Sequence, residues 1–305
     1  MANKRFLDFT TDAAPSSSDF LLIANSANGV RKTTIEDAVI GSDTFANINT
    51  KVSNLFDNAA AHNSIYRGKD LTAYFNSGEM SAAIAAGSFR DIYPGDYIIK
   101  SITIDGETFQ NVKFIIMDLD YHLHCGDTET TAHHVVIMPE RALGKVQMNA
   151  TNTTEGGYLG SDMWTTHMPK VTAGFEAAFG SVHILEHREY LSNAVDTEMT
   201  PSGYSSWHGA SSRAAWADVK TNLPNENMVF GAPIVSSSFM DIGECKNQLA
   251  VFRFNHGLSC SGNFWWWLRS VANSSGFCHV SGNGEVGSSA AVDAAHCICP
   301  YALLK

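Results

Sequence analysis

The fold of the C-terminal part of the chain is decided by the stretch Phe264-Trp265-Trp266-Trp267-Leu268-Arg269-Ser270. In an extended strand, successive side chains point to opposite faces, so Trp265 and Trp267 share one face and Trp266 takes the other. We therefore expect at least one indole in the core and at least one on an exposed contact face. Arg269 lies so close to aromatic residues that we predict a structural ion pair or stacking on a ring.

The sequence after this run uses a restricted set of residue types. From Val271 to Ala302 there is no Lys, Arg, Gln, Met, Trp or Leu, and Glu285 is the one long charged side chain. The other common types in this segment, such as Asn, Ser, Gly, Ala, Asp and His, can be reached from an asparagine codon by changing adenines alone. This composition is expected of a surface whose contact residues are randomised on a fixed scaffold. It favours a binding protein over a catalyst.

The contact residues that we predict on this basis are small or polar, because ordered loops supply rigidity while such side chains supply adaptable hydrogen bonds. They are Trp265, Asn273, Ser275, Gly276, His279, Ser281, Asn283, Glu285, Gly287, Ser288, Ser289, Asp293 and His296. Glu285 is not reached by that codon route, so it is alternatively part of the scaffold. The scaffold positions are Trp266, Leu268, Arg269, Phe277, Val280 and Ile298. A plain Gly/Ser/Ala loop is the alternative interpretation of the whole segment.

Composition and charge exclude several classes of protein. The chain has 305 residues, of which 44% are hydrophobic and 17% charged, as in an ordinary globular protein. Its net charge of -11 argues against a nucleic-acid partner, because a phosphate backbone needs positive charge to neutralise it. No apolar signal peptide follows Met1 and no window approaches a membrane span, so we expect synthesis in a cytoplasm, no ordinary secretion and no membrane insertion.

Residues 1–62 are predicted to form a separate attachment or oligomerisation segment. Asn28-Gly29 between two short apolar or mixed runs indicates a β-hairpin. After it, apolar residues recur with 3-4 spacing at Phe45, Ile48, Val52, Leu55 and Ala59. Two interpretations fit: an amphipathic helix packed on its own domain, or the stem of a homotrimer. We favour the stem, because the segment is too small for a core of its own.

Residues 63–305 are predicted to form an α+β domain with long ordered loops. Asp105-Gly106 indicates a hairpin between Tyr97–Ile104 and 109–119, and helical spacing indicates a helix from Pro169 to Phe179. A second short helix is predicted at 186–194. Further strands are predicted at 133–139, 249–254, 265–269, 277–280 and 298–304.

Histidines and carboxylates are the first candidates for chemistry. On a strand, His122 and His124 would share a face, and His133 or Asp120 could complete a zinc or iron site. The spacing matches no established metal motif, so ordinary core or surface histidines are the preferred interpretation. Asp118 and Asp120 could pair as catalytic carboxylates, although a solvated strand face has the same pattern. We therefore predict no catalytic residue, no metal and no cofactor.

The cysteines and one polar loop complete the candidates. The six cysteines are Cys125, Cys245, Cys260, Cys278, Cys297 and Cys299, and none of their spacings is a C-x-x-C motif. Cys297 and Cys299 would share a strand face, but free buried thiols are the preferred interpretation. The segment from Asn149 to Glu155 could bind calcium or order a loop through side-chain-to-backbone hydrogen bonds.

Several segments together resemble one family of proteins. They are Trp266-Trp267-Leu268-Arg269-Ser270, Phe277, Val280, Gly282-Asn283-Gly284 and residues 298–303, together with His133-His134, Met138-Pro139, residues 149–157 and residues 187–194. These segments resemble phage tail and variable proteins with a C-type-lectin-like fold, which are related in architecture to formylglycine-generating enzymes. Several such proteins are diversified by retroelements that mutate adenines. The segment around Phe20 to Thr34 is similar to the attachment segment of phage tail appendages.

The resemblance implies a C-type-lectin-like domain over 63–305 with a variable region at about 263–302. It implies a receptor-binding protein of a phage tail tip or fibre, located on the virion, whose partners are a bacterial surface receptor (protein or glycan) and other tail proteins. The Glu-Pro-Asn and Trp-Asn-Asp calcium motifs of sugar-binding lectins do not occur, so calcium-mediated glycan binding is not implied. The alternatives are a metal-dependent enzyme of the formylglycine-generating type and a purely structural tail component.

Overall fold

The computed structural model describes residues 20–25, 29–34, 43–191, 215–236 and 247–305. Cys245, the polar lead before Phe20 and the last residues of the helix predicted at 186–194 lie outside the described residues. The chain divides into two compact units, one ending at Phe56 and one beginning at Asp57. This division falls before the predicted domain boundary at residue 62.

The first unit contains a hairpin and a helix. Strands β1 (Phe20–Asn25) and β2 (Gly29–Thr34) pair antiparallel with Asn25 opposite Gly29, which confirms the predicted hairpin. Helix α1 spans Asp43–Phe56. Along it, Ile48 is 51% exposed and Val52 is 46% exposed.

The predicted 3-4 pattern is interrupted before its last member. Helix α1 ends at Phe56, and Ala59 begins a separate short helix, α2 (Ala59–His62), in the second unit. The side chain of Asn58 accepts a hydrogen bond from the backbone N–H of Ala61, at 2.9 Å, and so caps α2 at its start. A cap residue has extended backbone, so the helix cannot run through this position.

The described part of the second unit is a mixture of helices and strands. After α2, the helices are α3 (Thr72–Asn76), α4 (Glu79–Ala85), α5 (Met168–Phe179), α6 (Glu226–Phe230) and α7 (Ala250–Phe254). The strands are β3 (Tyr97–Ile104), β4 (Glu107–Leu119), β5 (Val135–Pro139), β6 (Leu143–Lys145), β7 (His187–Leu191), β8 (Ala215–Val219), β9 (Thr221–Asn222), β10 (Trp266–Asn273), β11 (Gly276–Val280), β12 (Val286–Ala290), β13 (Cys297–Ile298) and β14 (Tyr301–Leu304). This confirms the predicted α+β class.

One five-stranded sheet has the order β3-β4-β5-β14-β9. The predicted hairpin β3–β4 is confirmed, and α5 packs against it. Phe114 of β4 meets Phe175 and Phe179 of α5 edge-on, with ring centroids 5.4 and 4.9 Å apart. Gly174 allows this close approach, because a Cβ atom there would lie 2.6 Å from the Thr103 carbonyl oxygen.

A second five-stranded sheet has the order β12-β11-β10-β13-β6. The alternation predicted for the tryptophan run is confirmed here. Trp266 packs in one hydrophobic cluster with Leu268 and Val280, whereas Trp267 packs in the other with Phe277. Both indoles are fully buried, and each donates its N–H to a backbone carbonyl, Trp266 to Ser259 at 2.8 Å and Trp267 to Val146 at 2.7 Å.

Two predicted elements have the wrong type. The segment predicted as a helix at 186–194 contains strand β7, because its residues from His187 to Leu191 pair with β8. The strand predicted at 249–254 is helix α7, whose first residue, Ala250, donates its N–H to the buried Asp118 carboxylate at 2.8 Å. In both cases a tertiary partner decides the local structure.

None of the described helices has both the length and the apolar character that a membrane crossing needs.

Candidate ligand-binding site

The most exposed aromatic surface beside the second five-stranded sheet, which we call the C-terminal sheet, is formed by Phe264 and Trp265, which precede β10. They are 46% and 48% exposed. The Trp265 ring lies 4.8 Å from the buried His279 ring and 5.4 Å from that of His296. We call the rings of Trp265, His279, His296 and Trp267 the outer histidine cluster.

The lower layers of this cluster are tightly stacked. The His279 and His296 rings are 4.7 Å apart, and His296 stacks on Trp267 at 4.3 Å with an interplanar angle of 25°. His296 Nδ1 lies 3.3 Å from an Asp293 carboxylate oxygen, and His296 Nε2 lies 3.3 Å from the Ser289 hydroxyl. The indole of Trp265 therefore rests on a rigid aromatic base.

Burial sets the charge state of this base. Burial, reinforced by the neighbouring His296, lowers the pKa of His279 to about 4. Burial also lowers the pKa of His296, although Asp293 opposes this. Both imidazoles are therefore neutral at pH 7, as is appropriate for rings stacked between indoles.

The predicted contact residues do not all reach the surface. Exposed ones are Trp265, Asn273, Asn283, Glu285 and Ser288, and partly exposed ones are Ser275, Gly287, Ser289 and Asp293. Gly276, His279, Ser281 and His296 are buried, with His279 only 4% and His296 only 2% exposed. These four are corrected to interior positions, which influence the surface only through the residues they support.

Ser281, which is buried, and Gly287, which is partly exposed, have clear structural roles. The Ser281 hydroxyl accepts hydrogen bonds from the backbone N–H groups of Asn283 and Glu285, at 3.3 and 3.2 Å, and so fixes the β11–β12 turn. Gly287 lies opposite His279 in the strand register, and a Cβ atom there would lie 2.7 Å from His279 Nε2. Gly287 therefore leaves room for the His279 ring.

The exposed contact residues also fall at two separate ends of the sheet. Trp266 pairs with Val280, so Trp265 lies at the same end as the turn that carries Asn283 and Glu285. Asn273 and Ser275 lie at the other end of β11, roughly 13 Å away at a rise of about 3.3 Å per residue. We call the first group, Phe264, Trp265, Asn283 and Glu285, the Trp265 face.

The end of the sheet that carries Asn273 and Ser275 is held by the polar loop from Asn149 to Glu155. This loop was predicted either to bind calcium or to be ordered by side-chain-to-backbone hydrogen bonds. Thr154 donates its hydroxyl to the Asn273 carbonyl at 2.7 Å and its N–H to the Ser274 carbonyl at 3.0 Å. Asn149 donates to the Thr153 carbonyl and accepts from the Asp162 N–H. Side-chain-to-backbone bonds thus order this loop, as one of the two interpretations predicted.

The thiols of Cys297 and Cys299 are unsuited to nucleophilic chemistry. Burial raises the pKa of Cys297, and it raises the pKa of Cys299 to about 12. Reactive thiols need the opposite shift, because the thiolate is the nucleophile. Cys299 is instead a packed interior residue that donates weakly to the Pro139 carbonyl, with sulfur and oxygen 3.5 Å apart.

A second histidine cluster, which we call the inner histidine cluster, consists of His122, His187, Glu189 and Arg269. Arg269 Nη1 lies 3.1 Å from Glu189 Oε2, and both side chains are about 95% buried, at 5% and 4% exposed. This confirms the predicted ion pair of Arg269. Glu189 Oε1 accepts from His187 Nε2 at 2.9 Å and from the Tyr301 hydroxyl.

The electrostatics of the inner histidine cluster are dominated by burial and by the ion pair. Burial alone would raise the pKa of Glu189, but Arg269 and His187 more than offset it and the net pKa is lowered. Burial, reinforced by His187, lowers the pKa of His122 well below its ordinary value. Burial and Glu189 together raise the pKa of Tyr301. Glu189 is therefore charged while His122 and Tyr301 are neutral.

The grouping of His122, His124, His133 and Asp120 that was considered from the sequence, and not preferred, does not form. These residues surround a turn and not a strand, so His124 is exposed beside Glu129 while His133 Nδ1 lies 2.7 Å from an Asp120 oxygen. Asp118 is also not paired with Asp120, since it accepts from Asn63 and Ala250 and burial raises its pKa to about 6. His187 and Glu189 were missed because their segment was predicted as a helix, whereas on a strand the two share a face.

A cavity of about 440 Å³ lies beside the second sheet. Its polar lining includes Asp105, Glu107, Lys145 and Lys170, and Lys170 is paired with Asp105 at 2.7 Å. Ala294 and Ile298 line it from the C-terminal segment. Sequence patterns do not indicate this cavity, because its walls come from distant parts of the chain.

Comparison of the chain with protein-family models, with curated proteins and with solved structures finds no match. The site is therefore interpreted from its own geometry.

Proposed function

We propose that this chain is a receptor-binding protein of a phage virion, which recognises a bacterial surface ligand through the C-terminal sheet of a C-type-lectin-like domain. In this proposal it lies at a tail tip or fibre, contacts other tail proteins through its N-terminal segment, and has no catalytic role. The Trp265 face is the centre of the contact surface.

The observation that carries the proposal is the position of Trp265. A half-exposed indole on a buried base of stacked rings loses little conformational entropy on binding and offers a large apolar area. Tryptophan is also one of the residues that most often dominate binding energy in protein interfaces. Asn283 and Glu285 at the same end supply hydrogen-bonding groups around it.

The lectin-like assignment is supported by where the resembling segments lie. Trp266 to Ser270, Phe277 and Val280 are on the buried strands β10 and β11, and residues 298–303 cover β13 and β14. The segments between them carry the exposed polar residues. This division into a buried scaffold and exposed connections is what a fixed fold with a variable surface requires.

A homotrimeric stem is the second part of the proposal, and it rests on α1. Ile48 and Val52 lie on one face of the helix at i and i+4 and are both about half exposed in the single chain. An exposed apolar stripe with 3-4 spacing is typical of helices that associate. Light scattering on the full chain tests this: we expect a trimer that Val52→Asp dissociates, whereas a monomeric wild-type chain would contradict the stem.

Binding of the fluorescently labelled full chain to a panel of bacterial strains tests the main proposal. We expect at least one strain to bind the wild-type chain, and Trp265→Ala to reduce that binding by tenfold or more. Val182→Ala is the control, because Val182 is 71% exposed but lies in the connection after α5. Binding that Trp265→Ala leaves unchanged would contradict the proposed face, and a panel without any bound strain would contradict the receptor-binding function.

Diversification has its own test in the neighbouring DNA. We expect a near-copy of the codons for about residues 263–302, differing at adenines, beside a reverse transcriptase gene. Without that repeat the proposed variable region fails, while receptor binding through Trp265 is unaffected.

A further inference from the structure

The inner histidine cluster brings together three side chains with metal-ligand chemistry. His187 and Glu189 are two residues apart on β7 and point to the same side, and His122 approaches them from the turn after β4. One ligand atom from each of the three lies within 4.8 Å of the other two. All three residues are buried, at 4%, 4% and 3% exposed for His122, His187 and Glu189.

Two nitrogens in this cluster lack hydrogen-bond partners. His187 donates from Nε2 to Glu189 Oε1 at 2.9 Å, which leaves Nδ1 with a free lone pair. His187 Nδ1 and His122 Nε2 are both buried and both without a hydrogen bond. An unsatisfied buried polar group costs about 1–3 kcal/mol, so two of them in contact call for a shared partner.

The neighbouring His134 does not supply that partner. Its Nδ1 lies 3.0 Å from the Ala132 carbonyl and its Nε2 accepts the His122 backbone N–H at 3.0 Å, so both ring nitrogens are used. These two bonds also fix the backbone from which His122 extends. The His122 and His187 rings are neighbours, with centroids 4.5 Å apart, so their unpartnered nitrogens lie in the same buried region.

We propose that His122 and His187 bind a divalent transition-metal ion of the zinc class, with Glu189 as the carboxylate member of the site. Imidazole nitrogen favours zinc and its neighbours over calcium or magnesium, which prefer oxygen ligands. The hydrogen bond from His187 Nε2 to Glu189 is the arrangement by which a carboxylate orients a metal-binding histidine. This proposal does not rest on the proposed receptor-binding function.

The surroundings define what kind of site this is. Because His122, His187 and Glu189 are buried, we assign the ion a structural role, with any remaining coordination position taken by water and not by a substrate. Zinc–nitrogen distances of about 2.0–2.1 Å require ligand atoms roughly 3.3 Å apart, so binding draws the two rings together. Arg269, 3.1 Å from Glu189, adds positive charge nearby and weakens the affinity for the ion.

An entry route lies next to the site. A cleft of about 310 Å³ is lined by residues 128–132 and by Leu185 to Arg188. His187 belongs to this lining although its side chain is turned inward. Local opening between the turn after β4 and strand β7 would admit the ion without unfolding the sheet.

Metal binding by the untagged full chain tests the site. The chain is stripped with EDTA, dialysed, and titrated with Zn²⁺ or Co²⁺, and bound metal is measured by mass spectrometry and by the visible absorption of Co²⁺. We expect one ion per chain, an intense Co²⁺ absorption typical of few-coordinate nitrogen ligation, and a Tm that rises with added Zn²⁺. His124→Ala and His133→Ala are the controls, because these histidines lie nearby but outside the cluster.

His122→Gln is the decisive variant, since it keeps a polar side chain of similar length. We expect it to fold, judged by near-ultraviolet circular dichroism, and to lose the bound ion and the Tm response. A folded His122→Gln that keeps the ion would overturn the site. If the variant does not fold, Co²⁺ absorption decides: one bound ion per wild-type chain that His124→Ala and His133→Ala both keep supports the site, and the absence of a bound ion in the wild-type chain overturns it.

Discussion

Both histidine clusters bury imidazole rings in the protein interior, but the two clusters are stabilised in different ways. In the outer histidine cluster, His279 lies against Trp265 and His296 stacks on Trp267, and Asp293 at 3.3 Å from His296 is the nearby carboxylate. In the inner histidine cluster, His122 and His187 lie against Glu189, which is itself paired with Arg269. The first cluster relies on neutral stacked rings and the second on a compensated charge.

This difference determines which change destabilises each cluster. A compensated charge is sensitive to loss of its partner, because the remaining ion is left buried. A neutral stack is sensitive to protonation, because a charged imidazole between indoles lacks solvation. We therefore expect loss of Arg269 to destabilise the inner histidine cluster strongly, and protonation of His279 to destabilise the outer one.

The largest expected effect comes from removing Arg269. Arg269→Met leaves Glu189 charged and buried without its partner, so we expect the free energy of unfolding to fall by about 3–5 kcal/mol, measured by urea denaturation. Arg188→Met is the control, because Arg188 pairs with Asp127 and Asp218 at the surface, and we expect little change there. A loss for Arg269→Met no larger than for the control would contradict the buried pair.

Acid should have the next largest effect, and in the outer histidine cluster it should act through His279. The folded pKa of His279 is about 4, below the ordinary 6.5, so between these values the unfolded chain binds a proton that the folded chain does not. Stability from this residue is therefore complete above about pH 6.5 and is lost as the pH falls toward 4. A pKa difference of one corresponds to about 1.4 kcal/mol, so the full shift corresponds to roughly 3.5 kcal/mol, which solvent screening reduces to on the order of 2–3 kcal/mol.

Unfolding measurements from pH 7 to pH 4 check this expectation. His279→Gln should lose less stability over that range than the wild-type chain, whereas the exposed His124→Gln should behave as wild type. Equal pH dependence in all three chains would show that His279 is protonated in the folded state at an ordinary pKa.

A smaller effect is expected at Gly287. Gly287→Ala places a methyl group 2.7 Å from His279 Nε2, and crowding of this kind costs about 1–3 kcal/mol. We also expect the Trp265 fluorescence to change, because the His279 ring beneath it must move. Retained stability with unchanged fluorescence would restore Gly287 to the set of freely variable contact positions.

The smallest effect is expected at the neighbouring residue. Ser288 is exposed on the edge strand β12, so Ser288→Ala should change the free energy of unfolding by no more than about 0.5 kcal/mol. Urea denaturation of Ser288→Ala beside Gly287→Ala makes this comparison within one strand. A cost at Ser288 as large as that at Gly287 would mean that neither position can vary freely.

Sequence patterns predicted the parts of the fold that local periodicity controls. The alternation of Trp265, Trp266 and Trp267, the hairpin at Asp105-Gly106 and helix α5 all follow from spacing over a few residues. In each case the apolar pattern and the turn residues indicate the same structure. These predictions were therefore confirmed by elements with nearly the same bounds.

The parts that failed depend on partners far away in sequence. Glu189 is buried because Arg269 and Tyr301 reach it, and the type of β7 is fixed by its pairing with β8. His279 was predicted to be a contact residue from its residue type alone, but its strand position places it beneath Trp265. Composition can indicate that a segment varies, but predicting which of its residues are buried requires the register of the neighbouring strands.

The position of β14 has a consequence for biosynthesis. This strand lies between β5 and β9, and Ala302 pairs with Ile137, more than half of the chain's length away. The first sheet therefore cannot close on the ribosome until the whole segment at 263–302 has been translated. Such long-range closure is slow and leaves the edge of β5 that faces β14 unpaired during synthesis. We therefore expect substitutions in that segment to change the folding yield of the chain as well as its surface.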